Sequence, residues 1–584
     1  MPAKSAKTSA LRLAFTVALA LPSVSGCQGV VESPLGPGGS GSKPGAVDGD
    51  GLSNTPGTDG FLGGQLDALA CENRELHPGS MPGLVRLTHR QYQNAVTDLF
   101  GVESKAASEF VSDQEFYGFD NNAEKLSVDS VQTLRYRAMA KKVAAEATSN
   151  LAPLAKVVPC VSSQRNDGCR DSFLSGLLQL MFRRPLSDAE LTRYRTLFAA
   201  GTTLYEEGDA FTRGLRVVIE AALQTPTFLY RAELRDTPLD GKVVQLDAYE
   251  LAARLALTFW SSLPDATLMA KAESKKLGDP VELELEVRRL LDDPRASRVL
   301  DEFHAQWLEF GKLRFDKDAS AFPGYDKAAF EQAARAEALT FARNMTLKES
   351  GTIADLFTSP VTWVDATLAQ NYGVQAGAGV TRVELDPSQR AGLFTQTAFL
   401  AGHADALEGS PIHRGAYVQR RVLCREFGTL PPNVGTVPPA SPGAATTRAR
   451  VAQKTAAAAC QYCHKHINPT GFAFESFDSL GRFRTQDHGE PVDATGALEL
   501  DQGVPSSFSG GVQFAAELAS SDKATRCYET QWFRFAYGRA EGHDDACLLR
   551  EIDNKAKAKS YNLKELLVAL GTSRAFRFRA QEDL

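Results

Sequence analysis

Helix-start signals recur along the chain from Leu84 onward, and they constrain its fold more than any other feature. Thr88 and Gln91 are spaced as in a capping box, in which a hydroxyl caps the helix and a side chain three residues later caps it in return. Similar starts are Ser187–Glu190, Asp247–Glu250 and Asn562–Glu565. Apolar residues follow them at helical spacing, while strand-like alternation is scarce. We therefore predict a mainly α, multi-domain helical protein with minor β-hairpins.

The length of 584 residues allows three to five domains. We place five folded modules at residues 81–150, 160–235, 241–375, 385–500 and 505–584. The clearest strand candidates are residues 241–246, 381–385 and 491–500. Five prolines in residues 431–442 exclude a helix there. We interpret that stretch as an extended strap beside the motif that follows it, and a plain interdomain linker is the alternative.

The first 27 residues have the pattern of an export signal. Basic residues precede an apolar core at residues 13–21, which has about half the length of a membrane span. The core leads to Val-Ser-Gly-Cys27, which resembles a bacterial lipobox. We predict a signal peptide at residues 1–27 and a lipidated Cys27, the alternative being an ordinary secretory signal with a chance cysteine. Residues 28–80 are rich in Gly, Pro and Ser and are predicted to be a flexible tether.

Export and lipidation together predict a location and a partner. The protein would be lipid-anchored in the bacterial cell envelope, at the outer membrane, on its periplasmic or its surface side. The net charge is −7, and Lys and Arg are spread among Asp and Glu instead of forming a basic stripe. This distribution argues against nucleic acid as a partner. The expected partner is therefore the membrane, reached through the lipid anchor.

The remaining cysteines suggest disulfides, because an oxidising compartment favours them. Apart from Cys27 and a later motif pair, six remain: Cys71, Cys160, Cys169, Cys424, Cys527 and Cys547. Six cysteines allow fifteen pairings. We predict Cys160–Cys169, which flank a polar loop, and Cys527–Cys547, which flank one predicted helix. The pairing of Cys71 with Cys424 follows only by elimination.

One motif carries chemistry: Cys460-Gln-Tyr-Cys463-His464. In Cys-x-x-Cys-His the two thiols add across the haem vinyl groups and the histidine binds the iron. We predict covalent haem c at Cys460 and Cys463, with His464 as proximal ligand, in a small haem-motif module. The alternatives are a thioredoxin-like dithiol, which lacks its βαβ context, and a zinc site, which lacks a second Cys/His pair.

The sixth iron ligand stays open. The last methionine, Met345, precedes the motif, so a methionine after it, as in many cytochromes, is absent. We consider His488 and His413 first, and His403, His543 and Met345 are alternatives. A second histidine gives a lower potential than a methionine, whereas an empty position would permit peroxide or small-gas chemistry.

Few other residues suggest catalysis. The chain has no Walker loop, no His-Glu-x-x-His and no Gly-x-Ser-x-Gly. Glu475 and Asp478 follow the haem motif three residues apart. We interpret them as a solvated or capping face, with a functional carboxylate pair as the alternative.

A series of short motifs occurs in a fixed order: Leu87-Thr-His-Arg-Gln-Tyr92, Phe182-Arg-Arg-Pro-Leu186, Phe228-Leu-Tyr-Arg231, Ser410-Pro-Ile-His-Arg-Gly415, Gly471-Phe-Ala-Phe-Glu475 and Phe535-Ala-Tyr-Gly-Arg539. With the haem motif they resemble secreted planctomycete and myxobacterial proteins built from five domains of unknown function. These domains are numbered, in chain order, fifteen-eighty-seven, fifteen-ninety-five, fifteen-ninety-two, fifteen-eighty-eight and fifteen-eighty-five. The resemblance implies a cytochrome-like, haem-bearing surface protein and no established reaction. One departure is Ile467-Asn468-Pro469, where the family usually has Ile-Asp-Pro. If that Asp orients the haem or binds a cation, the role is weakened here.

Two functions fit these features. The first is an envelope-anchored c-type-haem protein that transfers electrons to or from a redox partner protein, or acts as a haem-dependent oxidoreductase. The second is a surface binding or scaffolding lipoprotein in which the Cys-x-x-Cys-His site is structural. A pocket that converges on His464 beside a titratable group would favour an enzyme. A haem with one exposed edge would favour electron transfer.

Overall fold

The computed structural model of the protein describes residues 83–234, 243–427, 445–501, 504–542 and 545–580. The predicted signal peptide, Cys27, the tether, Cys71, the Pro-rich strap and His543 lie outside these ranges, so the expectations for them stay predictions. Within the described ranges no helix is both long and apolar enough to cross a membrane.

The first part of the chain forms eight helices and a two-stranded ribbon. The helices are α1 (His89–Phe100), α2 (Ala106–Glu109), α3 (Ser130–Ser149), α4 (Ala152–Val157), α5 (Asp167–Phe182), α6 (Asp188–Leu204), α7 (Ala210–Ala222) and α8 (Pro226–Leu229). Strand β1 (Leu84–Arg86) pairs antiparallel with β2 (Tyr230–Ala232), so the two ends of this part lie side by side. A 3-10 turn at Pro159–Ser162 separates α4 from α5.

The middle part continues as helices. They are α9 (Ala248–Trp260), α10 (Ala266–Glu273), α11 (Pro280–Asp292), α12 (Ala296–Trp307), α13 (Lys327–Leu347), α14 (Ile353–Thr358), α15 (Ala366–Tyr372) and α16 (Thr397–Gly402). Three 3-10 turns occur among them, at Lys276–Gly278, Phe310–Lys312 and Leu393–Thr395. Strand β3 (Val243–Gln245) opens this part, and β4 (Val361–Val364) pairs antiparallel with β5 (Thr381–Glu384).

The last part carries the haem motif and the C-terminal helices. They are α17 (Pro411–Tyr417), α18 (Thr447–Lys454), α19 (Ala458–Phe472), α20 (Gly511–Ser520), α21 (Asp522–Tyr537), α22 (Ala546–Lys557), α23 (Leu563–Gly571) and α24 (Arg574–Arg577). A π-helical turn, Val418–Val422, follows α17 directly. The antiparallel pairs are β6 (Gln486–Asp487) with β7 (Glu490–Pro491), β8 (Thr495–Asp501) with β9 (Val504–Ser509), and β10 (Phe578–Ala580) with the distant β3.

Two large apolar cores hold these helices together. One is built from residues between Tyr92 and Leu229, with Leu263. The other contains residues from Leu246 to Phe576, with Phe119, and in it the rings of Phe303 and Trp532 stack. The first two predicted modules therefore share one core, and the third, the fifth and part of the fourth share the other. A small separate cluster lies beside the haem motif: Ile412, Ala416, Val451, Ile467 and Phe472.

The structure confirms the mainly α fold and its local signals. The hydroxyl of Thr88 accepts from the backbone N–H of Gln91, and the Gln91 side chain accepts in return. The boxes at Ser187 and Asp247 form in the same way, and Asn562 caps α23. Strands β3 and β5 lie within predicted strand segments, and β8 overlaps the third segment and extends one residue beyond it. These features depend on neighbours within a few residues, which explains why the sequence is sufficient to predict them.

The predicted disulfide in the first core is present. Cys160 and Cys169 are bonded, with Cα atoms 5.6 Å apart. Cys160 lies in the short 3-10 turn and Cys169 lies in the first turn of α5, so a brief polar loop brings the two together. This bridge is local, as its separation of nine residues indicates.

The predicted Cys527–Cys547 bond is wrong. Cys527 is bonded to Cys424, 103 residues earlier, with Cα atoms 5.5 Å apart. The reason is packing: Cys527 lies in the middle of α21, where its sulfur also approaches the backbone oxygen of Arg421 at the end of the π-helical turn. The suggested pairing of Cys71 with Cys424 is wrong for the same reason. Cys547 is disulfide-bonded, but not to Cys527.

Candidate functional site

Helix α19 carries the whole Cys-x-x-Cys-His motif. Cys460, Cys463 and His464 occupy positions i, i+3 and i+4, which share one side of a helix. Cys460 and His464 are buried, with 4% and 6% of their surface exposed, and Cys463 is half-buried. Tyr462 is on the opposite side and is 73% exposed. The helix therefore turns the three motif residues toward the protein and the intervening tyrosine toward solvent.

Two glycines allow the backbones of α19 and α17 to approach each other closely. A Cβ atom on Gly415 would lie 2.1 Å from the backbone oxygen of Ile467, and one on Gly471 would lie 1.9 Å from that of Pro411. Only glycine permits backbones to approach this closely. Both glycines belong to sequence motifs named above. In the structure they allow α19, the helix with the Cys-x-x-Cys-His motif, to pack closely against α17.

The imidazole of His464 is held by a chain of side chains. Its Nδ1 atom lies 2.8 Å from Oδ1 of Asn468, one helical turn later. Asn468 Nδ2 in turn donates to the hydroxyl of Thr455 at 2.7 Å. Burial lowers the pKa of His464, and the hydrogen bond to Asn468 opposes that shift only in part. The ring is therefore neutral at neutral pH, the form that binds metals.

An open groove of about 260 Å³ lies beside His464. Its walls come from α19 and from the first residues of β8, and its lining residues are Arg448, Gln461, His464, Lys465, Asn468, Pro469, Phe472, Thr495, Gly496 and Ala497. The guanidinium of Arg448 stacks over Phe472 at 4.4 Å and donates to the backbone oxygens of Asp493 and Thr495. The groove thus combines an apolar floor with two cationic side chains, those of Arg448 and Lys465.

The two motif cysteines differ in state. Cys460 is disulfide-bonded in the structure. Cys463 is a free thiol that packs against the small apolar cluster containing Ile467. Burial raises the pKa of the Cys463 thiol, so it is protonated at neutral pH. The disulfide state of Cys460 bears directly on the predicted attachment of haem, because one sulfur cannot also form a thioether.

Neither favoured candidate for a sixth ligand lines the His464 groove. His488 Nε2 lies 2.6 Å from a carboxylate oxygen of Glu408, next to a β-turn. His413 lies on α17, where burial lowers its pKa while Asp405 opposes that shift. Of the residues described around the His464 groove, none is a second histidine or a methionine.

The other candidates for that position lie in packed interiors. His403 is hydrogen-bonded through Nδ1 to the backbone oxygen of Phe399, and Met345 is buried in the second core. In the described ranges no group of three or more His, Cys, Asp or Glu side chains is arranged to hold a metal ion. The sixth ligand therefore stays without an assignment.

Glu475 is a buried group, so its interpretation as part of a solvated or capping face is wrong. It is 2% exposed, and burial raises its pKa to about 7 even though Arg484 and Arg414 lower it. Its Oε1 atom has no hydrogen-bond partner among the described residues, and its Oε2 atom lies 3.7 Å from Arg484. Glu475 is thus not part of a solvated face. The signal that points to this is its place among Phe472, Phe474 and Phe477.

Asp478 behaves as the sequence predicted. Its carboxylate accepts from the backbone N–H groups of Leu480 and Arg482, so it caps a tight turn. It also forms an ion pair with the side chain of Arg482 at 2.8 Å. The two carboxylates therefore have separate structural environments and do not act as a pair.

Five domain families match the chain, and each is described as a protein of unknown function. They are DUF1587 at residues 86–149, DUF1595 at 169–233, DUF1592 at 246–374, DUF1588 at 390–487 and DUF1585 at 506–576. The DUF1588 match contains the Cys-x-x-Cys-His motif and the crossing of α17 with α19. No curated protein and no solved structure matches the chain.

Proposed function

The chain belongs to the family of proteins that join these five domains of unknown function, and from that premise we propose that it is an envelope-anchored c-type-haem protein with an electron-transfer role. One observation carries the proposal. A neutral imidazole, that of His464, is held through Nδ1 and borders an open groove, while two cysteines share its side of the helix. This is the donor set that covalent haem attachment requires.

Each residue of the site has a role in this function. Cys460 and Cys463 would hold the haem through two thioether bonds, and His464 would bind its iron through Nε2. Lys465 would pair with a carboxylate of the haem, Phe472 would offer it an apolar contact, and Arg448, paired with Asp493 at 3.2 Å, would hold the Phe472 ring in place. When bound, haem supplies an iron that gains and loses one electron. The volume of about 260 Å³ lies below the range of ligand pockets, roughly 300–1,000 Å³.

The open form of the groove favours electron transfer over an enzymatic reaction. A shallow site leaves one edge of a bound group accessible, and a redox partner protein could approach that edge. Asn468 and Gln461 contribute amides to the lining, and such groups orient a bound molecule without exchanging protons at neutral pH.

A second function is favoured by one observation, the disulfide at Cys460. If that bond persists in the mature protein, the Cys-x-x-Cys-His site is structural and the protein is a surface binding or scaffolding lipoprotein. The two functions exclude each other at one atom, because the Cys460 sulfur forms either a thioether or a disulfide. Chemical analysis of this sulfur therefore decides between them.

The experiment is to produce the full chain in a bacterial host that has haem-attachment machinery in its periplasm. We expect a c-type pyridine haemochrome and a haem adduct on the peptide that contains Cys460 and Cys463. Changing both to alanine should remove the covalent haem. Cys424→Ser is the matched control, because that cysteine also forms a disulfide but lies outside the motif, and it should retain haem. A haem-free protein with Cys460 in a disulfide would establish the structural alternative instead.

A further inference from the structure

We propose that Asn468 is a positioning residue that fixes which nitrogen of His464 carries the proton and thereby presents Nε2 as the ligand atom. The inference deepens the proposed function. It rests on that function only in taking haem iron as the metal that Nε2 would bind. Its basis is a chain of four hydrogen-bonding groups: the backbone oxygen of Val451, the hydroxyl of Thr455, the amide of Asn468 and the imidazole of His464.

The direction is set at the backbone end of the chain. The carbonyl oxygen of Val451 can only accept, so the Thr455 hydroxyl donates its single hydrogen to it at 2.8 Å. The same hydroxyl lies 2.7 Å from the amide of Asn468. Since its hydrogen is already used, Thr455 must accept there, and the amide group that faces it is the NH₂ of Asn468.

The amide orientation then determines the tautomer of the histidine. With its NH₂ toward Thr455, Asn468 points its oxygen toward Nδ1 of His464 at 2.8 Å. An amide oxygen accepts but cannot donate, so Nδ1 carries the hydrogen and Nε2 keeps its lone pair. A metal-binding histidine is generally held in this way, with its second ring nitrogen bonded to an oxygen.

Burial limits the access of water to this chain of hydrogen bonds. Thr455 is fully buried, Asn468 is 7% exposed, and His464 is buried between them and the groove. Only a small part of each side chain meets the open groove, so water competes weakly with the amide as the partner of Nδ1. Without Asn468, the two neutral tautomers of a histidine differ little in energy, and both would be populated.

The first test uses haem-free protein from a host without attachment machinery, so it does not depend on the proposed function. Ring-¹⁵N labelling of histidine distinguishes a protonated from an unprotonated ring nitrogen, and His464→Gln identifies the signals. We expect the wild-type ring to be protonated at Nδ1 only. Asn468→Leu should give averaged shifts of two tautomers, and Thr455→Val should shift the population in the same direction.

The matched control is Thr470→Val. Thr470 is a buried threonine on the same helix, and its hydroxyl donates to the backbone oxygen of His466 instead of joining the chain to His464. This variant should leave the His464 signals unchanged. A wild-type His464 protonated at Nε2, or an Asn468→Leu variant with unchanged signals, would overturn the inference.

The second test uses the haem-loaded protein and measures its midpoint potential. Asn468→Asp replaces a neutral acceptor with an anionic one, which makes the ligand nitrogen more basic and should lower the potential. Thr470→Val should leave the potential where it is. Failure to load haem counts against the proposed function alone. A loaded Asn468→Asp protein with the wild-type potential counts against the role of Asn468.

Discussion

The crossing of α17 and α19 yields a sharp prediction for Gly471→Ala. A Cβ atom at this position would lie 1.9 Å from the backbone oxygen of Pro411 and 2.5 Å from its carbonyl carbon, whereas ordinary contact begins at about 3.4 Å. Because both clashing atoms belong to the backbone, no side-chain rotation can relieve the overlap. The two helices must separate, or α19 must bend at this point.

The magnitude follows from the size of the movement. A separation of roughly 1.5 Å would break the contacts of Ile412 and Ala416 with Ile467 in the small apolar cluster. Overpacking a core costs about 1–3 kcal/mol, and a rigid backbone clash lies at or above the upper end of that range. We therefore expect Gly471→Ala to destabilise this part of the protein by about 3 kcal/mol.

The assay is denaturant unfolding of the full chain, monitored together with the fraction of protein that carries covalent haem. Gly415→Ala tests the same crossing from the other helix, because its Cβ would meet the backbone oxygen of Ile467. Gly311→Ala is the control, since a Cβ there meets nothing within 4 Å. If Gly471→Ala unfolds at the same midpoint as Gly311→Ala, the close approach of the two helices is wrong.

Three further predictions concern the disulfide, a buried acid and the anchor. Removing both Cys424 and Cys527 should cost about 4–5 kcal/mol in the chain-entropy model, because the bond closes a long loop, and peptide mapping without reduction should find these two joined. Burial raises the pKa of Glu475 to about 7, from an unfolded value of 4.5. Between these two pH values the folded protein keeps a proton that the unfolded chain has released, so its stability falls as the pH rises. The free energy of unfolding of Glu475→Gln, relative to that of wild type, should therefore increase from pH 5 to pH 7 by at most about 1.4 kcal/mol per pH unit. A difference that stays constant with pH would contradict the assigned burial. Cys27→Ser should abolish fatty-acyl labelling and release the protein from membranes, and persistent labelling would rule out the lipid anchor.

Much of the local structure could be predicted because its causes lie within a few residues. The capping boxes at Thr88, Ser187 and Asp247 form because each hydroxyl or carboxylate meets a backbone N–H three positions later. The Cys160–Cys169 bridge closes a short loop for the same reason. The side of α19 shared by the motif residues follows from helical periodicity alone.

The sequence by itself therefore determined the helical class, the positions of many helix starts and the side of α19 that Cys460, Cys463 and His464 share. Tertiary structure decided which groups far apart in the chain meet. It joined Cys527 to Cys424 instead of Cys547, and it buried Glu475 against Arg484. Distances of this kind are set by how whole helices pack against one another, and periodicity within one helix carries no information about them.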